Sequence, residues 1–253
     1  MRCDRVRFFV SQSAVHGDRV VLSAEDSAHA ARVLRMRPGD LLTVCDDGGM
    51  EHSCRACAVS PAQVEAEIVS SAPGGTEPDV FVTVFAGVSK GERFDQMIQK
   101  CVEVGVSHLV PFTSEHCVVK IDRADAEKKR ARWARIALEA SKQSGRSRAV
   151  TVGEVVSFSQ ALAQAEQADH AFLLYEKENR RALRRALREA GSAAAIAVIT
   201  GPEGGFSAEE AGQALERGIE SVSIGPRILR CETAPVAAVC AIMYETGNFD
   251  IGE

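Results

Sequence analysis

From Val80 onward the chain alternates short, uninterrupted apolar runs with segments of helical period, and this alternation restricts the fold more than any other feature. Val80 to Val88, Leu109-Val110-Pro111-Phe112, Phe172-Leu173-Leu174-Tyr175, Ala195-Ile196-Ala197-Val198-Ile199 and Val222-Ser223-Ile224 read as strands. An apolar run without polar alternation belongs to a strand buried on both faces. Helical segments separate the runs, near Glu92 to Val104, Asp125 to Ser144, Arg180 to Ala190 and Ser207 to Arg217. Phe94, Met97, Ile98, Cys101 and Val102 share one stripe of the first, with Gly105 as its cap; Trp133, Ile136, Ala137 and Ala140 share one stripe of the second. Buried strands alternating with helices predict an α/β domain with a parallel sheet.

The first seventy residues have a different rhythm. Val20-Val21-Leu22, Leu41-Leu42-Thr43-Val44 and Val64-Glu65-Ala66-Glu67-Ile68 are short strand patterns separated by Gly, Asp and Pro. One helix interrupts them, from Ser27 as cap to Arg35, and Pro38-Gly39-Asp40 turns the chain after it. This half predicts a small β-barrel. The breaker-rich stretch from Ser70 to Pro78 marks the boundary, dividing the chain into residues 1–72, a linker at 73–79, and residues 80–253.

With 45% hydrophobic and 26% charged residues over 253 positions, the chain has a globular composition, which excludes a disordered or fibrous protein. Met1-Arg2-Cys3-Asp4-Arg5 begins no apolar leader, and the run from Ala234 to Tyr244 is too short to span a bilayer. The expectation is a soluble, cytoplasmic protein with no membrane contact. Its eight cysteines are scattered and read as reduced thiols. Cys54 and Cys57 have C-x-x-C spacing, but on a strand they point to opposite faces, so no metal is expected. A net charge of −5 excludes a generally basic coat, leaving nucleic-acid contact to local patches.

In an open parallel sheet, ligands bind beyond the carboxyl ends of the strands. Three strand exits are unusual. One is Leu174-Tyr175-Glu176. Another runs from Thr200 into Gly201-Pro202-Glu203-Gly204-Gly205, where glycines allow close backbone approach, and Ser207 with Glu210 forms a capping box for the next helix. The third is Ile224-Gly225-Pro226-Arg227-Ile228-Leu229-Arg230-Cys231-Glu232-Thr233-Ala234, with two arginines and a carboxylate close together. No dinucleotide fingerprint or Walker lysine is present.

These loops, together with Arg7-Phe8-Phe9-Val10, Val33-Leu34-Arg35, Gly39-Asp40, Lys90-Gly91, Gln99-Lys100, Glu103-Val104-Gly105-Val106, Val118-Val119-Lys120 and Gln143-Ser144-Gly145-Arg146, occur in the order seen in the ribosomal RNA small subunit methyltransferase E family. The chain resembles that family over nearly its whole length. The resemblance implies an N-terminal PUA-like RNA-binding barrel and a C-terminal SPOUT methyltransferase domain whose parallel sheet carries a trefoil knot, assembled as a homodimer. It also implies methyl transfer from S-adenosylmethionine to N3 of a uridine in 16S ribosomal RNA of the small subunit. The implied cofactor-binding residues are Leu174, Tyr175, Glu176, Thr200, Gly201, Pro202, Glu203, Gly204, Ile224, Gly225, Pro226, Ile228 and Leu229.

The chemistry sets its own demands. Uracil N3 carries a proton at neutral pH, so an attack on a methyl group needs that proton removed or the resulting anion stabilised. Arg230 and Glu232 are the catalytic candidates: the guanidinium for charge on a carbonyl oxygen, the carboxylate as proton acceptor. A second reading of Glu232 stands beside this one, as a cap of the helix near Thr233 paired with Arg230. Candidate RNA contacts are Arg7, Arg32, Arg35, Lys90, Arg93, Lys100, Arg146 and Arg227, since phosphate contacts need such side chains. The denser runs 128–135 and 180–188 sit beside acids and read as solvated helix faces.

Three positions depart from the family pattern: His116 for arginine, Lys142 for glutamate and Cys231 for threonine. The last replaces a good hydrogen-bonding group with a weak one. Two further readings share much of this pattern, a catalytically silent RNA-binding assembly factor and a SPOUT enzyme with another RNA target. Cofactor binding separates the first, and the modified nucleoside the second.

Overall fold

The computed structural model of the chain describes residues 6–119 and 121–250. The opening segment with Cys3, and Lys120 of the Val118-Val119-Lys120 motif, lie outside the described residues. The chain forms two compact units, Met1–Glu77 with Ser141–Ala149, and Pro78–Ala140 with Val150–Glu253.

The first unit contains β1 (Val6–Val10), β2 (Val15–His16), β3 (Arg19–Val21), α1 (Ala24–Arg32), β4 (Leu41–Asp46), β5 (Met50–Val59) and β6 (Val64–Pro73). They form one six-stranded sheet in the order β1-β4-β5-β6-β3-β2, antiparallel except for the β1/β4 pair. Phe8, Val20, Leu22, Ala30, Leu42, Val44, Cys54 and Val64 pack its core. The helix cap is Ser23, whose hydroxyl accepts from the Asp26 amide at 3.1 Å. Ser27, expected as the cap, is buried one turn further in; its Oγ donates to Leu22 O and accepts from Val64 N, pinning α1 to the strand. Cys54 is buried and Cys57 exposed, so the two thiols do not converge. Among the described residues no three His, Cys, Asp or Glu side chains gather as a metal set.

Residues 141–149 belong to this first unit, although the sequence reading assigns them to the C-terminal domain. Long-range carboxylates hold them. Glu77 accepts from Arg146 Nε and Nη2 and from the amides of Ser147 and Arg148. Arg7 donates to Glu51 at 2.9 Å and to Arg146 O at 3.1 Å, and Ser147 Oγ donates to Glu51. Lys142 lies 3.2 Å from Asp26 and over the Phe8 ring.

The second unit contains β7 (Phe81–Gly87), α2 (Arg93–Glu103), β8 (His108–Thr113), α3 (Arg123–Gln143, its last three residues falling in the first unit), β9 (Thr151–Val152) and β10 (Val156–Ser157). After these come α4 (Phe158–Ala165), β11 (His170–Leu174), α5 (Leu183–Ala190), β12 (Ala195–Thr200), α6 (Ala208–Glu216), β13 (Glu220–Val222) and α7 (Ala234–Glu245). Every strand pair is parallel, in the order β10-β8-β7-β12-β11-β13, with β9 beside β8. Alternate residues of one strand enter two different cores: Ile196 and Val198 one layer, Ala197 and Ile199 the other. Trp133 lies in the first layer, with its ring 4.5 Å from that of Phe94. The expected α/β sheet, with an antiparallel-rich N-terminal unit, is the observed architecture. Among the described residues no helix is long and apolar enough to cross a membrane.

Arg146 is 5% exposed, so truncating it removes a buried guanidinium and its hydrogen bonds to Glu77, which is left with two backbone amide donors. Arg146→Ala is expected to destabilise the first unit by about 1.5–3 kcal/mol, the range for hydrogen bonds to a charged group. Urea unfolding followed by circular dichroism checks this; a loss below about 1 kcal/mol, the range of a surface pair, would show the pair to be dispensable.

Candidate active site

The strands β11, β12 and β13 end side by side, and their exits line one cleft of about 930 Å³. Its wall includes residues 174–176, 201–205 and 222–232, together with 178–182, which follow β11. The three segments singled out in the sequence therefore converge. Thr200 is the exception: it is 1% exposed, absent from the wall, and its Oγ1 faces Phe85 O at 3.4 Å. It is the last strand residue and points into the sheet.

The loop after β12 turns sharply between its strand and α6. Ser207 and Glu210 form the expected reciprocal cap, and Glu210 also accepts from the amide of Glu115. A Cβ at Gly204 would lie 2.7 Å from Cβ of His116, so only glycine allows this approach. His116 Nδ1 donates to Gly204 O at 3.1 Å, so a residue that departs from the family pattern is tied to this loop. In the third loop Gly225 has φ of +122°, a conformation open to glycine alone. Backbone rather than side chain thus forms much of the wall.

One end of the cleft is charged. Glu203 Oε1 accepts from the Lys90 amide at 2.8 Å and lies 3.6 Å from Arg93 Nη1. Cys231 donates to Glu232 at 3.3 Å. Burial opposes ionisation of Glu232, but hydrogen bonds from its own amide and from Cys231, with the charges of Arg93 and Arg230, outweigh it and hold the carboxyl below its ordinary value. Glu232 is thus ionised at neutral pH and a weaker base than a free glutamate. Arg227 and Arg230 are exposed on the same wall.

The other RNA candidates are dispersed. Arg32, Arg35, Lys90 and Arg93 are exposed, and Lys100 is paired with Glu103. Arg35 has φ of +53°, a strained backbone that displays its side chain at the turn after α1. Arg7 and Arg146 are internal, committed to Glu51 and Glu77, and present no free guanidinium to a phosphate. The α5 arginines behave largely as a solvated face, Arg185 pairing with Glu189 and Arg188 with Glu245. Sequence reasoning missed Arg180 and Arg181 on the cleft wall. Their place just beyond a strand exit was the available signal.

Burial, the hydrogen bond to Glu232 and the charge of Glu203 push the Cys231 thiol up to about 11. Only about a thousandth of it is thiolate at pH 8. Iodoacetamide at that pH is expected to modify exposed Cys57 well before Cys231 and buried Cys45, Cys54 and Cys101, with Cys231 accelerating as pH rises toward 11. Peptide mass spectrometry follows each site; equal rates at Cys57 and Cys231 would refute the assigned environment.

Comparison with known proteins agrees with this arrangement. An RNA methyltransferase domain model matches residues 76–243, and an RNA methyltransferase PUA domain model matches residues 22–68. The chain is 33% identical over 229 residues to ribosomal RNA small subunit methyltransferase E of Bacillus subtilis, covering 89% of this chain and 90% of the relative. It is 30% identical to the Synechocystis protein of the same name, over 93% and 76% of the two chains. The crystal structure of the Neisseria gonorrhoeae enzyme of that name, bound to S-adenosyl methionine, superposes with a TM-score of 0.83 at 33% identity, covering 94% and 97%. A sheet buried on both faces, three converging strand exits and whole-length similarity lead to one conclusion: this chain belongs to the ribosomal RNA small subunit methyltransferase E family.

Proposed function

We propose that the protein transfers a methyl group from S-adenosylmethionine to N3 of a uridine in 16S ribosomal RNA, acting on the small ribosomal subunit in the cytoplasm as a homodimer. The convergence of three strand-exit loops on one cleft, charged at one end, carries the reading. The volume lies within the range of small-molecule sites, about 300–1,000 Å³. Apolar Leu174, Ile224 and Leu229 and the loop backbone suit an adenosine, while Glu176, Glu203 and Glu232 favour a cationic sulfonium and ammonium. The residues present therefore fit the cofactor. When bound, it supplies an electrophilic methyl group.

The loops hold the reactants close and oriented, which is a large share of catalysis for a displacement. Arg230 and Glu232 both line this cleft, where the uracil must lose its imide proton and the charge on its carbonyl oxygens must be stabilised. The lowered proton affinity of Glu232 makes anion stabilisation the larger demand on this site. Arg32, Arg35, Lys90 and Arg227 supply exposed positive charge for phosphates.

The trefoil knot forms part of the same proposal. Tyr175 N donates to Val222 O, Ser223 N to Arg181 O, and Leu183 N to Ser223 O, so the segment after β11 embraces the exit of β13. The chain then returns to α7, which packs against α2 and α5. Exposed Ile228 and Tyr244, 87% and 76% accessible, supply apolar surface for the dimer.

Labelled methyl transfer to small subunits lacking the modification is expected to yield 3-methyluridine on nucleoside digestion. Label on another nucleoside would replace the target, and cofactor binding without transfer to either subunits or naked 16S RNA would overturn the assignment. Gly204→Ala, which drives a methyl group into His116, is expected to weaken S-adenosylmethionine binding at least tenfold by calorimetry. An unchanged Kd would remove this loop from the cofactor site.

A further inference from the structure

Among the described residues, Glu203 Oε2 is the buried side-chain oxygen or nitrogen that lacks a hydrogen-bond partner. Such an atom is costly to leave unmade, and it sits on the wall of the cleft. Its carboxylate is held firmly. Oε1 accepts from the Lys90 amide, and the preceding Pro202 packs closely on Gly87, where a Cβ would lie 2.5 Å from Pro202 N. Glu203 also stands at the positive end of α2, where no side chain caps the helix.

Arg93 is the first residue of α2 and also lines the cleft. Its Nη1 lies 3.6 Å from Glu203 Oε1, a single long ion-pair contact, and the side chain is 49% exposed. A guanidinium is a planar fork that prefers two parallel N–H donors on one carboxylate. Oε2 is the second seat of that fork. Arg93 is also close enough to Glu232 for its charge to lower that carboxyl. It thus lies between two carboxylates, with its exposed side toward the cleft.

Resting on the function proposed above, we infer that Arg93 is the guanidinium that stabilises the uracil imide anion, and that Glu203 is its positioning residue. The N3 proton leaves to solvent, and its electron pair stays on the ring, spreading charge to the flanking carbonyl oxygens. Arg93 donates to one of these oxygens while its opposite edge closes onto Oε1 and Oε2 of Glu203. The N3 pair then forms the new nitrogen–carbon bond as the methyl–sulfur pair returns to sulfur. Arg230 is exposed, and no described residue makes a hydrogen bond or salt bridge with its guanidinium. Arg93 has a fixed carboxylate behind it, and preorganised donors outperform mobile ones.

The test uses the full chain, unmodified small subunits and saturating S-adenosylmethionine under single turnover. Arg93→Gln and Glu203→Gln are each expected to slow transfer about 100-fold, the effect of losing one anion-stabilising donor. The double variant is expected to lose no more than Arg93→Gln alone, and Arg93→Lys to recover part of the rate. In each slowed variant the rising limb of the pH–rate profile moves to higher pH, because the imide loses its cation. Calorimetry without RNA is expected to give Arg93→Gln a cofactor Kd within about threefold of the unmutated chain, a range well short of one anchoring contact; Glu203→Gln is compared at saturating cofactor, so weaker binding there does not enter its rate. Losses that multiply in the double variant would overturn the positioning role. A full rate in Arg93→Gln, with RNA binding less salt-dependent by about one phosphate, would make Arg93 a backbone contact instead. A full saturated rate in Glu203→Gln with tenfold weaker cofactor binding would make Glu203 a cofactor contact. Absence of transfer by the unmutated chain would defeat the proposed function itself, whereas full activity in Glu203→Gln defeats this inference alone.

Discussion

The central strands of the seven-stranded sheet send alternate side chains into two separate apolar layers, and neither layer accommodates an unpaired polar group. Polar chemistry is thereby confined to the strand ends. Because the strands are parallel, all their carboxyl ends lie along the same edge, and β11, β12 and β13 deliver their exits to one place. Thr200 shows how sharp the boundary is. It is one residue before Gly201, yet it belongs to the sheet, while Gly201 belongs to the cleft.

The first unit solves a different problem. Its antiparallel strands enclose a smaller core, and the segment 141–149 is attached by charge rather than by apolar area. Glu77 supplies one half-buried carboxylate to a guanidinium and two backbone amides, so most of its acceptor capacity is used within the unit. Arg7 joins Glu51 to the Arg146 carbonyl, so two arginines that look like surface charges in the sequence serve as internal ties.

What could be read from the sequence follows from the range of the interaction that decides each feature. Strands and helices of the second unit were legible because periodicity is local, and the Ser207/Glu210 cap because it spans three residues. The cap of α1 was displaced from Ser27 to Ser23, since Ser27 is claimed by Val64, 37 positions away. Arg7 and Arg146 were misplaced for the same reason: their partners lie 44 and 69 positions away, and residue type alone does not distinguish a tied arginine from an exposed one. The cleft loops were legible as motifs, yet the orphaned oxygen of Glu203 depends on how three loops meet.

The substitution at Cys231 acquires a physical meaning from that meeting. A threonine hydroxyl both donates and accepts well, whereas a thiol does both weakly. Here the thiol donates to Glu232 and feels the charge of Glu203, so it stays protonated and neutral between two carboxylates. A thiolate in that place would add a third negative charge beside Glu203 and Glu232 and compete with them for Arg93 and Arg230. An ordinary thiol is already protonated at neutral pH and the raised proton affinity extends this into the alkaline range, so cysteine in place of threonine adds no charge to the cleft while forming a weaker hydrogen bond.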